Sequence, residues 1–124
     1  MSGWNLVYKK FEPEKERLRE ALCTLGNGYF ATRGASSQSE ANDVHYPGTY
    51  LACGYNRLET EIMGRKIENE DLVNLPNWLL TAFRILDGEW FDIQRVEIVN
   101  YRQELDMKRG ILLMDITFRD YHGN

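Results

Sequence analysis

The apolar positions of this chain change period near residue 28. Before that point Leu18, Leu22 and Leu25 fall at helical spacing with Ala21 beside them, while Arg17 and Glu20 take the opposite side. This is the pattern of an amphipathic helix with a wet charged face. The helix opens at Phe11-Glu12-Pro13, with Pro13 in the first turn and Glu14 and Glu16 near the positive end of the dipole. Gly26 or Gly28 is expected to stop it, because glycine tolerates the left-handed turn after a helix end. A short strand from Trp4 to Lys10 precedes it.

Beyond residue 28 the signals are mostly β. Tyr29 to Arg33 and Tyr50 to Tyr55 read as strands, separated by a long polar loop from Ala35 to Tyr46. Thr60 to Ile67 predicts a hairpin turning near Met63-Gly64-Arg65. Leu79 to Leu86 and Trp90 to Ile93 predict a second hairpin around Asp87-Gly88, a strong turn dipeptide. Arg95 to Tyr101 is another strand. The last is the clearest: Leu112, Met114, Ile116 and Phe118 share one face at period two, with Asp115 and Thr117 on the other. The pattern is a mainly antiparallel β fold with one short early helix. It contains no internal repeat and no low-complexity tract.

The chain has 124 residues, enough for one domain with a core. Its 15 basic and 19 acidic residues give a net charge of −4. The bases are scattered among acids, which argues against a nucleic-acid surface. No apolar run approaches the roughly 20 residues of a membrane span, and Met1-Ser2-Gly3-Trp4 leads directly into a charged segment rather than an apolar signal region. A cytoplasmic location is expected. Cys23 and Cys53 are too few for a disulfide scaffold and read as buried free thiols.

Several groupings are candidates for chemistry. Gly26-Asn27-Gly28-Tyr29-Phe30-Ala31 matches G-x-G-x-x-A, but a dinucleotide site needs a strand before it and a helix after it. Here the order is reversed, so a tight turn is the better reading. Arg33-Gly34 could hold a carboxylate or phosphate; a structural arginine pinning the long loop is the simpler role. His45 and His122 lie far apart without metal-ligand spacing and read as surface or loop residues. Glu59 and Glu61 would share a strand face, as glycosidase carboxylates can, yet two acids on a wet hairpin are commoner. Glu68, Glu70 and Asp71 read as a solvated cluster. Trp78, Trp90 and Tyr50 could stack on a sugar, though a core or interface role is the default for an aromatic.

Taken together, the tryptophan-led opening at Trp4, Leu25-Gly26-Asn27-Gly28-Tyr29 with Arg33-Gly34, Pro47-Gly48-Thr49-Tyr50 with Tyr55-Asn56, Leu72-Val73-Asn74-Leu75-Pro76-Asn77-Trp78, Asp87-Gly88 and Leu105-Asp106-Met107-Lys108-Arg109-Gly110-Ile111-Leu112 follow one family's order. The chain resembles the N-terminal domain of glycoside hydrolase family 65, which includes maltose, kojibiose and trehalose phosphorylases and some hydrolases. It departs at Cys23-Thr24, where the family often has a larger apolar residue.

The resemblance implies a large antiparallel β-sandwich of the galactose mutarotase-like supersandwich type, followed by a catalytic α/α barrel. Residues 1–124 would be the N-terminal half of that sandwich. In the phosphorylases a barrel glutamic acid protonates the leaving oxygen of an α-linked glucose disaccharide. Inorganic phosphate, the co-substrate, attacks from the opposite face to give β-glucose 1-phosphate. No catalytic, cofactor-binding or metal-binding residue is therefore assigned within this chain, and its substrate-binding residues stay unassigned. The implied partners are the barrel of the same polypeptide, an α-glucoside sugar and a possible second copy of the chain. A non-catalytic carbohydrate-binding module, a dimerisation module and a hydrolase segment of the same family are the alternatives.

Overall fold

A computed structural model describes residues 3–120 of the chain. It is mainly antiparallel β with one short helix, as the pattern predicts. Strands β1 (Asn5–Tyr8), β7 (Glu97–Asp106) and β8 (Ile111–Arg119) form one sheet in the order β1-β7-β8. Strands β2 (Leu25–Gly26), β3 (Phe30–Thr32) and β4 (Thr49–Leu51) form a second sheet in sequence order, and β5 (Tyr55–Ile62) with β6 (Arg65–Leu72) forms a separate hairpin. Helix α1 spans Glu16–Leu22 and follows a 3-10 turn at Pro13–Lys15. Among the described residues no helix is long and apolar enough to cross a membrane.

The alternation read in β8 is real. Leu112, Met114, Ile116 and Phe118 lie on its more covered face, and Leu113, Asp115, Thr117 and Arg119 are exposed. In register, Leu105 faces Leu112 and Tyr101 faces Ile116. The β5–β6 turn is also where the sequence puts it, with Met63 at φ 51° and Gly64 at φ 76°. Positive φ at both central residues matches the right-handed twist of the flanking strands. Leu58, Thr60, Ile62 and Ile67 share one face of this hairpin by register. The opposite face carries ion pairs of Arg57 with Glu68 and Glu70, and of Lys66 with Glu59.

Four expectations are corrected. First, the helix faces are inverted. Leu18 and Leu22 are 61% and 54% exposed, while Glu16, Arg19 and Glu20 are buried. Positions 16, 19, 20 and 23 form a helical stripe just as the leucines do, so spacing alone could not choose between them. Second, neither Gly26 nor Gly28 stops the helix. It ends at Cys23, and Gly28, at φ 88°, instead makes the β2–β3 turn. Third, the expected second hairpin is reduced to a single bridge between Arg84 and Trp90. Fourth, the strand expected from Tyr50 to Tyr55 breaks at Cys53, which has φ 61° and is exposed rather than buried.

The β7–β8 connection is held by one carboxylate. Asp106 accepts the backbone N–H groups of Lys108 (3.1 Å) and Arg109 (3.0 Å) and pairs with Arg109 Nε at 2.7 Å. The Arg109 hydrogen bonds hold its carboxyl below the usual value of 3.8. Glu12, bonded first by Lys15, and Glu104, bonded first by Arg102, are likewise lowered from 4.5. A depressed carboxylate stabilises the fold fully above its unfolded pKa and loses that contribution as pH falls through the folded value. Urea midpoints are therefore expected to fall on acidification below about pH 4, and Asp106→Asn is expected to flatten that acid limb. Burial raises the Glu16 pKa, so its carboxylate acts in the opposite sense and favours the fold when protonated.

Candidate functional site

The buried side of α1 meets the 35–46 loop over a cluster of charges. Glu20, 1% exposed, accepts the Tyr46 N–H at 2.8 Å and contacts His45 Nδ1 at 2.9 Å. The Arg33 guanidinium lies 4.0 Å from the same carboxylate. Its Nη2 donates to the Arg17 carbonyl at 2.8 Å, and its plane sits over the Tyr46 ring at 5.3 Å. Arg19 is held by the Lys10 carbonyl at 2.6 Å, by Glu16 at 3.1 Å and by Glu12, with Tyr8 beneath it at 4.6 Å. Charges taken out of water at this depth are tolerated only when paired and hydrogen-bonded; Arg19 and the Glu20 carboxylate meet both conditions, while Arg33 Nε and His45 Nε2 are buried without a hydrogen-bond partner.

Two glycines let the chain segments close on that cluster. The Gly34 N–H donates to the Glu20 carbonyl at 2.8 Å. A Cβ on Gly34 would lie 2.4 Å from Cys23 Cβ and 2.6 Å from the Cys23 carbonyl oxygen. The Gly48 carbonyl accepts the Arg33 N–H at 2.8 Å, and a Cβ there would meet Tyr50 Oη at 2.7 Å. From the sheet below, Gln103, 1% exposed, donates to the Gly34 carbonyl at 3.2 Å. Burial pushes the Cys23 thiol and the Tyr101 phenol upward, so both stay neutral at physiological pH.

Beside the cluster lies an open apolar cleft of about 710 Å³. Its floor is the inner face of β8, with Leu112, Met114, Ile116 and Phe118. Phe83, Phe91 and Phe118 close one end, with centroids 4.7 Å (Phe83–Phe91) and 4.6 Å (Phe91–Phe118) apart. At the other end Trp78, 62% exposed, donates from Nε1 to Thr32 Oγ1 at 3.1 Å and meets Phe30 edge-on.

The sequence candidates fall as follows. Arg33 is the structural arginine of the 35–46 loop. His45 is a loop residue but not a surface one: it is 2% exposed, stacked near Phe11 and fixed by Glu20. His122 lies outside the described residues. The Gly26–Ala31 segment is the β2–β3 hairpin, with no helix N-terminus after it. Glu59, Glu61, Glu68, Glu70 and Asp71 are all on the exposed hairpin. Trp90 is 57% exposed and carries Arg84 over its ring at 5.1 Å. Among the described residues no group of three or more His, Cys, Asp or Glu could hold a metal ion.

Sequence reasoning missed Glu20, Gln103 and the phenylalanine trio. Tyr101, Gln103 and Leu105 alternate with exposed or less buried positions in β7, so period two was a usable signal for Gln103. Nothing local marks Glu20, whose partners are 25 and 26 residues away.

Comparison with known proteins agrees with the fold. The family model for "Glycosyl hydrolase family 65, N-terminal domain" matches residues 6–124. An uncharacterized glycosyl hydrolase of Mycobacterium tuberculosis is 49% identical over 120 residues, covering 97% of this chain and 9% of that protein. The trehalose 6-phosphate phosphorylase of Lactococcus lactis is 39% identical over 111 residues, covering 86% of this chain and 14% of that protein. A solved human-microbiome protein provisionally assigned as a kojibiose phosphorylase superposes with a TM-score of 0.82 at 22% identity, over 94% of this chain and 16% of that one, and so shares the fold. The chain thus spans well under a fifth of each of these three proteins. Its sequence match, its ordered motifs and its antiparallel architecture place it in glycosyl hydrolase family 65, in the N-terminal domain.

Proposed function

We propose that residues 1–124 are the N-terminal half of the β-sandwich of a longer family 65 enzyme, an α-glucoside phosphorylase whose catalytic α/α barrel is a separate domain of the same polypeptide. The observation that carries this reading is the open cleft. An apolar strand face with Leu112, Met114, Ile116 and Phe118, roofed only in part, is half of a core. Leu18 and Leu22 on the outer side of α1 add a second uncovered apolar surface. In this account the segment supports fold and assembly, and the glutamic acid and phosphate pocket belong to the barrel. Phosphorolysis would keep the energy of the glucosyl bond in β-glucose 1-phosphate and draw on inorganic phosphate, which fits a cytoplasmic location.

The test is an assay of the longer polypeptide with α-linked glucose disaccharides. Release of glucose 1-phosphate that depends on inorganic phosphate is expected. Phosphate-independent release of glucose would instead favour the hydrolase reading, which the mycobacterial relative's description keeps in view. The isolated chain is expected to self-associate through its uncovered faces. Sedimentation velocity should show dimers or larger species, and Leu18→Lys with Leu22→Lys should reduce them without loss of β-sheet circular dichroism. A purely monomeric profile at high concentration would count against the half-domain.

A further inference from the structure

Asn27 and Gly28 turn the chain between β2 and β3. Asn27 is exposed to solvent. Its Oδ1 accepts the backbone N–H groups of Tyr29 at 3.0 Å and Phe30 at 3.1 Å, and its own N–H donates to the Phe30 carbonyl at 3.2 Å. Two donors aimed at one side-chain atom identify it as the amide oxygen. They also stabilise negative charge that develops there, which makes Cγ a better electrophile. Gly28 has φ 88° and no non-neighbouring atom within 4 Å of an added Cβ, so the approach to its nitrogen is open. Among the described residues the Gly28 N–H has no hydrogen-bond acceptor.

Two other turns isolate what this combination adds. Asn42 repeats the hydrogen bonds. Its Oδ1 accepts the N–H groups of Val44 and His45, each at 2.8 Å, and its N–H donates to the His45 carbonyl at 3.0 Å. The residue after it is Asp43, whose side chain crowds the following nitrogen and whose backbone lacks the freedom of glycine. Asp87-Gly88 has the glycine, but there the Gly88 N–H donates to the Ile85 carbonyl at 2.9 Å, which ties up the nitrogen. Asn27 combines the polarised carbonyl with the unencumbered nitrogen.

We propose that Asn27 is a site of spontaneous deamidation, with the Gly28 backbone nitrogen as nucleophile and water as co-reactant. The Gly28 nitrogen gives its proton to solvent and bonds to Asn27 Cγ. The Cγ–Nδ2 bond breaks, ammonia leaves, and a five-membered succinimide remains. Water then opens the ring. Attack at Cγ breaks its new bond to nitrogen and gives aspartate; attack at the backbone carbonyl carbon breaks the original peptide bond and gives isoaspartate. The sum is amide plus water to carboxylic acid plus ammonia, with no change of oxidation state. Either product carries an added negative charge, and isoaspartate also lengthens the turn by one methylene. Asn27 lines the apolar cleft, so the new carboxylate stands on the rim of that surface. The chemistry does not depend on phosphorolysis, and loss of that activity reading leaves it standing.

The test is peptide mapping by mass spectrometry after incubating the chain in mildly alkaline buffer, folded and in urea. In the folded chain the Asn27 peptide is expected to gain the mass of an amide-to-acid exchange at least about tenfold faster than the Asn42 peptide. Separable isoaspartyl and aspartyl forms should accumulate together. Unfolding in urea should change the Asn27 rate by less than about tenfold, while isomerisation at Asp87 should accelerate by more than that. Gly28→Ala should slow the Asn27 conversion at least about tenfold in urea, where strain in the folded turn plays no part. Four results would each overturn the proposal: Asn27 no faster than Asn42, a larger suppression of Asn27 by folding, an aspartyl product without isoaspartate, or no acceleration at Asp87 in urea.

Discussion

Gly34→Ala is expected to destabilise the fold by about 3 kcal/mol, the upper range for overpacking a close contact. The new methyl would sit 2.4 Å from Cys23 Cβ and 2.6 Å from the Cys23 carbonyl oxygen. Neither atom is the far end of a flexible side chain. Relief would require α1 to lift from the β2–β3 sheet, breaking the bond from the Gly34 N–H to the Glu20 carbonyl and the one from Gln103 to the Gly34 carbonyl. Gly28→Ala is the control. Gly28 has φ 88° but nothing within 4 Å of its added Cβ, so the cost there is backbone strain alone, about 1–2 kcal/mol. Urea unfolding of the two variants separates the mechanisms. A Gly34→Ala loss no larger than that of Gly28→Ala would mean that the approach of residue 34 to Cys23 is not a constraint.

Glu20→Ala is expected to lose about 3–5 kcal/mol, the cost of removing one partner from a buried charge cluster. The change strips a carboxylate from the Tyr46 N–H, from His45 Nδ1 and from the neighbourhood of Arg33. Glu20→Gln keeps the shape and one acceptor oxygen, so a smaller loss of about 1–2 kcal/mol is expected. The comparison that matters is Leu18→Ala. A leucine on the buried side of a helix costs about 2–5 kcal/mol when truncated. Leu18 is 61% exposed, so its loss in the isolated chain should stay within about 0.5 kcal/mol. Equal effects at positions 18 and 20 would restore the helix orientation that hydrophobicity alone suggests.

That helix also shows where the sequence stopped being legible. Period two in β8 and the Met63-Gly64 turn could be read because each rests on local rules: alternation across a pleat and φ above zero at a turn. The choice between the leucine stripe and the Glu16-Arg19-Glu20-Cys23 stripe was not local. It was decided by Arg33, His45 and the Tyr46 N–H, which reach Glu20 from the segment after β3 and the 35–46 loop and make a charged interior affordable. The same reason hid the burial of His45, since the 35–46 loop is polar in composition yet folds over the cluster. Asp87-Gly88 signalled a turn correctly, but Phe83 and Phe91 pack on Phe118 instead of extending a ladder. The family resemblance was legible because its motifs fall at these constrained points: Gly34 against Cys23, Gly48 against Tyr50, and Asp106 across the β7–β8 turn.

The central claim is that the uncovered face of β8 is completed by further chain of the same polypeptide. Reading the source gene past the codon for Asn124 tests it most directly. The account predicts an open frame that continues through further β segments and then helical hairpins, to a length comparable with the relatives. A stop codon immediately after Asn124 would contradict it.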